Sequence, residues 1–383
     1  MIKLGEIDVA GKAVFVRADL DVPLEQLTID SHGHSPWESL SSLRGFNAEA
    51  SSPPKLQSRR GPRSLEISNQ QSAEAIRLTS LKATVDYLLE RNCQVVVGGH
   101  IDRPAGASLN LSTQRLVPNL EQILGRKVNF HPDIEDHKLE KEAVIAGVGQ
   151  VILLENLRFW PGEVENDSDF ATKLARFAEI YINEAFGNCH RAHASMVALP
   201  AMMIHAAGLH LVREIENLTK ALNRPQRPLM AIVGGAKIET KVPVIENLAK
   251  VADFVIVGGE LPIEIAKGNF SYPSNVVVAS LEPHQKEIDQ SSIVQTIELV
   301  KRSKTVVWNG PLGVFEEGYD NASKALAQAI IASGAFSVVG GGETTQMLAG
   351  FNLLSKFSFV SSGGGAMLEF LAGHKLPGLK ALE

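Results

Sequence analysis

Leu229-Met-Ala-Ile-Val-Gly-Gly-Ala-Lys237 carries the reading of the fold. The apolar run over 229–233 reads as a strand. Two glycines and a lysine follow it, and helical spacing sets in over 241–251. The same alternation continues toward the C-terminus, with strands expected over 254–257, 276–278, 305–308, 337–339 and 357–360 and helices over 293–302 and 322–333. It also runs back toward the N-terminus, with strands over 13–17, 94–97, 151–154 and 180–183 and helices over 81–91 and 168–178. Short β-branched runs alternating with helices imply parallel sheets covered on both faces. A polar helix over 212–223 and the turn Asn223-Arg-Pro-Gln-Arg-Pro228 separate the two series. The expected fold is therefore α/β, with two doubly wound, Rossmann-like parallel-sheet domains joined by a hinge helix.

Open parallel sheets bind ligands at the carboxyl ends of their strands. In the first series those ends carry Arg17, Asp19 and Asp21, then His100 and Arg103, then Arg158, then His190 and Arg191. Guanidinium forks match phosphate and carboxylate oxygens. In the second series the strand ends carry glycines, Gly234-Gly-Ala-Lys237, Gly340-Gly-Gly-Glu-Thr344 and Gly363-Gly-Gly-Ala366. Glycine admits close backbone approach, and a helix N-terminus offers free N–H groups to phosphate. Neither Gly-x-x-x-x-Gly-Lys-Ser/Thr nor a strand-following Gly-x-Gly-x-x-Gly occurs, which weakens the P-loop and dinucleotide readings. One anion half-site, one polyphosphate half-site and a hinge suit phosphoryl transfer, which is mostly positioning and charge neutralisation.

The chain of 383 residues is 44% hydrophobic, enough for two cores, with a formal net charge of −6. Its acidic balance argues against nucleic acid as the main partner, although Arg59-Arg60 and Arg63 are locally basic. Two cysteines, Cys93 and Cys189, give no disulfide framework and point to the cytoplasm. The stretch 196–212 is the most lipid-like. Pro200, His205, Gly208 and His210 interrupt it, so it is expected to be a buried connecting helix, not a membrane span. The segment 31–72, rich in Ser, Pro, Arg, Gln and Asn, reads as a surface insert.

Six stretches together resemble the phosphoglycerate kinase family. They are Val16-Arg-Ala-Asp-Leu-Asp-Val-Pro23, Leu154-Glu-Asn-Leu-Arg-Phe159, Asn183-Glu-Ala-Phe-Gly-Asn-Cys-His-Arg-Ala-His-Ala-Ser195, Gly234-Gly-Ala-Lys237, Val307-Trp-Asn-Gly-Pro-Leu-Gly-Val-Phe-Glu316 and Ser362-Gly-Gly-Gly-Ala366. The resemblance implies a glycolytic kinase that moves a phosphoryl group between 1,3-bisphosphoglycerate and ADP, giving 3-phosphoglycerate and ATP, with Mg²⁺. It implies that Asp19, Leu20, Asp21, Arg77, His100, Arg103, Arg158 and Arg191 hold the phosphoglycerate. Arg77, Lys237, Gly342 and Gly364 would act on the transferring group. Gly235, Lys237, Lys241, Asn309, Pro311, Glu316, Gly340, Gly341, Gly342, Glu343 and Thr344 would hold the nucleotide, with Glu343 on the metal. The expected division is a phosphoglycerate domain over 1–203, a nucleotide domain over 204–364 that includes a linking helix over 204–223, and a segment 365–383 returning to the first domain. A monomer without nucleic-acid or membrane partners is expected.

Departures from the family pattern motivate an alternative, a member that binds its ligands without turning over. Asp21 stands for an asparagine, Gly99 for a serine, Asp102 and Glu260 for glycines, and Glu343 for an aspartate. The stretch between Gly259 and Trp308 is shorter than usual, and the insert separates Pro23 from Arg77.

Overall fold

The computed structural model describes residues 1–22, 73–135, 149–268 and 270–383. The expected insert over 31–72 lies outside them. Two six-stranded parallel sheets organise the rest. The first sheet contains β1 (Ala13–Arg17), β2 (Gln94–Gly98), β3 (Val128–His131), β4 (Val151–Leu154), β5 (Ile180–Asn183) and β6 (Ile204–Ala207), in the order β3-β4-β2-β1-β5-β6. The second contains β7 (Leu229–Val233), β8 (Phe254–Val257), β9 (Val276–Val278), β10 (Thr305–Asn309), β11 (Phe336–Gly340) and β12 (Phe359–Ser361), in the order β12-β11-β10-β7-β8-β9.

Each sheet reverses its direction of growth beside its first strand, which opens a crevice at the carboxyl ends. In the first sheet the chain adds strands beyond β2 and then crosses to β5. In the second it adds β8 and β9 and then crosses to β10. Central strands are buried on both faces, as continuous apolar runs require. The helix Ala73–Leu89 buries Leu78, Leu81, Val85 and Leu88, spaced to form one stripe, in the cluster that holds Val14, Val16, Val95 and Val97. On the other face Phe15 stacks on Tyr181 with ring centroids 6.1 Å apart. Trp308 is fully buried in the second lobe, with its indole N–H donating to the Gly310 carbonyl at 2.7 Å.

The expected connecting helix over 196–212 does not form. A short helix, Ala198–Met202, leads into edge strand β6, and the linking helix Leu209–Asn223 begins only after Gly208. Burial holds only for part of the stretch, since Met196, Leu199, Ala206, Ala207 and Leu211 are buried while Met202 and Ile204 are exposed, and the helical period does not hold. Pro200 and Gly208 break the run, and an extended stretch between them pairs with β5 from Ile180↔Ile204 to Asn183↔Ala207. Residues 204–207 thus lie in the first sheet, ahead of the linking helix. Among the described residues no helix is long and apolar enough to cross a membrane. Cys93 and Cys189 are both buried free thiols.

Candidate active site

The first half-site is built from Arg17 outward. This guanidinium is fully buried at the end of β1, so its donors need acceptors. Its Nε donates to Ser195 Oγ at 2.7 Å, Nη1 donates to the Ala18 carbonyl, and Nη2 lies 2.9 Å from His100 Nδ1. Ser195 is anchored by Glu163, which accepts its hydroxyl at 2.6 Å and its backbone N–H at 2.9 Å. Arginine can only donate, so His100 Nδ1 accepts and the neutral ring carries its proton on Nε2. That Nε2 is buried and has no partner among the described residues. Arg17 therefore positions His100 and does not reach into the cleft itself.

The turn after β1 sets the acidic wall. Asp19 Oδ2 lies 3.7 Å from Arg77 Nε, and the Arg77 Nη1 donates to the Asp21 carbonyl. The Asp21 carboxylate accepts the backbone N–H of Asp102 at 2.8 Å, and the Asp102 carbonyl accepts from Arg158 Nη1. Asp102 is left-handed, with φ 53°, which accounts for a glycine in the family pattern and is within reach of aspartate. The turn thus uses the Asp102 backbone, and its side chain is exposed. Gly187 packs closely nearby, and a Cβ there would stand 2.4 Å from Asp19 Oδ2, so a side chain at this position would displace the Asp19 carboxylate. Leu20 is fully buried against Gly99, so its side chain belongs to the core.

Burial comes first among the causes that lower the cationic groups, and their mutual repulsion adds to it. Arg158 is pushed down to about 10 by burial and then by Arg191 and Arg17. Arg191 is lowered by burial and then by Arg103. His193 falls to about 3 through burial, Arg158 and Arg17, and His100 falls well below its ordinary value through burial and Arg17. Nε of Arg77 and Arg158 and Nδ1 of His190 and His193 are buried without a hydrogen bond among the described residues.

The second half-site is mostly backbone. At the β7–β10 crevice the N–H of Gly234 donates to the Asn309 carbonyl and that of Gly235 to the Pro311 carbonyl, each at 2.9 Å. A Cβ on Gly234 would stand 2.1 Å from the Pro311 oxygen, so this turn has room only for glycine. Gly341, with φ 98°, opens the helix Gly342–Gly350, whose first turn carries Glu343. Glu343 Oε2 lies 3.5 Å from where a Gly235 Cβ would be, so its carboxylate faces the neighbouring turn. Thr344 Oγ accepts the Gly310 N–H at 2.7 Å and ties the β10 and β11 turns together. Lys241 is buried, donates to Asn309 Oδ1 at 2.5 Å, and is lowered to about 8 by burial against the pull of Glu343. Lys237 stands exposed at the start of the helix Ile238–Val251, and Glu316 is exposed after β10. Gly340 ends β11 against Met367, and Gly364, with φ 47°, opens the helix Gly365–Leu371.

The two half-sites meet across one seam. A Cβ on Gly365 would lie 3.4 Å from His190 Nε2, and Phe186 packs edge-on against Phe370. The Gly378 N–H donates to the Cys189 carbonyl at 2.8 Å. At the hinge, Glu184 accepts from Thr84 Oγ at 2.6 Å and from the His210 N–H at 2.9 Å. Glu214 accepts from both the N–H and hydroxyl of Ser362, at 2.7 and 2.8 Å, and His210 Nε2 lies 3.0 Å from Ser362 Oγ. The roles of Glu163, Glu184 and Glu214 were not read from the sequence, where a buried acid far from its partner leaves no spacing signal.

Comparison with known proteins agrees with this geometry. The family model for phosphoglycerate kinase matches residues 66–269 and 272–374. The phosphoglycerate kinase of Solibacter usitatus (strain Ellin6076) is 33% identical over an alignment of 427 residues, spanning 100% of this chain and 99% of that protein. The cytosolic phosphoglycerate kinase of Triticum aestivum is 33% identical over 433 residues, spanning 99% and 97%. Among solved structures, phosphoglycerate kinase from Coxiella burnetii gives a TM-score of 0.74 at 27% identity, covering 100% of this chain and 98% of that one. Phosphoglycerate kinase from Pyrococcus horikoshii OT3 gives 0.79 at 24% identity over the same shares, which bears on the fold alone.

Proposed function

The chain belongs to the phosphoglycerate kinase family, and we propose that its Arg/His half-site holds the phosphoglycerate while its glycine turns hold the nucleotide. The family reaction is reversible phosphoryl transfer from 1,3-bisphosphoglycerate to ADP, giving 3-phosphoglycerate and ATP in glycolysis. In the proposed assignment Arg158, Arg191, Arg103 and His100 bind the 3-phosphate and carboxyl end, with Asp19, Leu20 and Asp21 shaping the wall. Arg77 steadies the migrating group from the first lobe. A terminal β-phosphate oxygen of ADP attacks phosphorus, the bond from phosphorus to the carboxylate oxygen breaks, and the carboxylate departs. Lys237 neutralises charge on the group in flight, and the N–H groups at Gly342 and Gly364 face it from two helix starts. Gly235, Lys241, Asn309, Pro311, Gly340, Gly341 and Thr344 cradle the remaining phosphates, and Glu316 reaches the ribose.

Members of this family use ATP and ADP, generally with Mg²⁺. Among the described residues no three His, Cys, Asp or Glu side chains converge as a metal cage. That fits an ion whose oxygens come mostly from polyphosphate and water. Glu343, whose carboxylate faces Gly235 between two glycine turns, would be the hard ligand. When bound, the ion supplies charge neutralisation on the nucleotide phosphates. The protein's own part is to keep water out by closing the seam.

We further assign 1–207 to the phosphoglycerate lobe and read the C-terminal residues after Gly364 as returning to it, because Gly378 bonds to Cys189 and Phe370 packs on Phe186. A cytoplasmic monomer suits two buried thiols and a cytosolic relative.

The observation that carries this reading is the cluster of buried, mutually repelling Arg and His groups in the first lobe. Calorimetric titration of Arg158→Ala and Arg191→Ala tests it. Each variant is expected to bind 3-phosphoglycerate about 1.5–3 kcal/mol more weakly, as for a lost charged hydrogen bond, with ADP affinity unchanged. A comparable loss of ADP affinity would contradict the division into half-sites.

A further inference from the structure

A cavity separate from both half-sites opens where the linking helix meets the two lobes. Its volume is about 380 Å³, within the range of small-molecule sites. The helix Ala73–Leu89 forms one wall and shows three faces. Leu78, Leu81, Val85 and Leu88 sink into the first core, Arg77 turns to Asp19 and the cleft, and Ser80 and Ala83 face the cavity. The linking helix supplies His210 and Arg213, and the second lobe supplies Ser358 and Phe359. The lining mixes aliphatic and aromatic groups with hydroxyls and two basic side chains, and it holds no Asp or Glu. Of the nearby carboxylates, Glu184 is engaged by Thr84 and the His210 N–H, and Glu214 is engaged through Oε1 by Ser362, with its buried Oε2 without a hydrogen bond among the described residues. The Arg213 guanidinium is exposed, with no carboxylate paired to it among the described residues.

We propose that this cavity is an effector site for an amphipathic organic anion, with its apolar body against Ala83 and Phe359 and its acidic group on Arg213, and that occupancy restrains lobe closure. The chemistry follows from the lining. Apolar walls bury a flat body, hydroxyls bond its polar edge, and the exposed Arg213 guanidinium, on a lining without Asp or Glu, favours negative charge. The coupling follows from position. The walls belong to the first lobe, the linking helix and the second lobe, which change their mutual placement when the half-sites close. A ligand that touches all three binds one arrangement better and shifts the equilibrium toward it. The coupling rests on the closing two-lobe kinase, whereas binding does not.

Anilinonaphthalene sulfonate, a fluorescent amphipathic anion, is the probe. It is titrated into the full chain, Arg213→Glu and Ala83→Trp, with and without saturating ATP and 3-phosphoglycerate, and kcat is read at saturating substrates. Expected are binding that persists with both substrates present, a roughly tenfold weakening in Arg213→Glu, loss of binding in Ala83→Trp, and a lower kcat with probe in the parent protein only. Displacement by ATP, equal affinity in Arg213→Glu, or an unchanged kcat would each overturn the proposal. Should Ala83→Trp fail to fold, the exposed Arg213 position carries the test. A protein without turnover in the absence of probe would count against the kinase reading instead, and the binding arm would still decide the site.

Discussion

His193 shows how the substrate field acts on a single side chain. Its ring is lowered to about 3 by burial and then by Arg158 and Arg17, so in the folded state it stays neutral near pH 5. The unfolded chain takes up that proton near the ordinary 6.5. Between those values the unfolded state binds more protons, so stability falls as pH falls through this window. His210 acts in the opposite sense: burial lowers it, but the hydrogen bond and charge of Glu214 together with the charge of Glu184 more than offset this and raise it, and its contribution is lost as pH rises through the raised value. The two separate in a variant. His193→Gln is expected to gain in melting temperature relative to the parent at pH 5 compared with pH 7.5. An equal difference at both pH values would show that the ring titrates normally. Glu343 offers a second residue-level test. As a helix-start acid alone it contributes about 0.3–1 kcal/mol. Glu343→Gln is therefore expected to keep nearly the parent melting temperature while losing most Mg²⁺-dependent turnover in a coupled assay across a Mg²⁺ series. An unchanged Mg²⁺ dependence would reduce Glu343 to its helix-start role. The strand-end positions of Arg158 and Arg191 were legible in the sequence because each follows an apolar run. Glu163 was not, because its link to Arg17 passes through Ser195, 178 residues away from Arg17.

The linking helix Leu209–Asn223 is the element on which the two lobes depend. Its first residues lack a side-chain cap of their own, since Gly208 holds the cap position. Glu184 at the end of β5 supplies the acceptor instead, taking the N–H groups of His210 at 2.9 Å and Leu211 at 3.3 Å. Full burial raises the Glu184 carboxyl, and Thr84, His210 and Leu211 hold it down in part. A Cβ on Gly208 would stand 1.9 Å from Glu184 Oε2. Gly208→Ala is therefore expected to lose about 1–3 kcal/mol in denaturant unfolding, in the range of an overpacked core. A change below 0.5 kcal/mol, the ordinary scale of a surface substitution, would mean that Glu184 moves aside freely. At this scale the sequence spoke unevenly. Central strands were legible because both faces are buried and the run is apolar throughout. β3 and β6 lie at the edges of the first sheet, where Asn129, Phe130, Ile204 and His205 are only partly buried or exposed, so no continuous apolar run marks them. Tertiary pairing with β5, not local pattern, makes β6 extended.

For the whole molecule, the arrangement explains how a chain of net charge −6 serves anionic ligands. Positive charge is gathered at one crevice in the first lobe, while the second relies on backbone N–H groups, helix starts and two lysines. One face of each sheet has a core of its own, while a third cluster runs from Phe15 and Tyr181 through Leu211 and Leu218 of the linking helix to Leu229, Val307 and Val338, so the two lobes are joined by a shared core as well as by the contacts of Ser362 with the linking helix and of Gly365 and Gly378 with the first lobe. The departures at Asp102 and Glu343 do not dismantle either half: one contributes its backbone to the Asp21–Arg158 turn, and the other keeps its carboxylate toward Gly235. The central claim is that phosphoryl transfer occurs between these half-sites, with Lys237 on the moving group. The most direct measurement is kcat for ATP formation from 1,3-bisphosphoglycerate and ADP, by the parent protein and by Lys237→Ala, with unfolding midpoints recorded for both. Lys237 is exposed, so the midpoint should not move, and kcat should fall by roughly 10²–10³-fold, as when one charge-stabilising donor is removed. A Lys237→Ala protein with near-parental kcat would contradict the account.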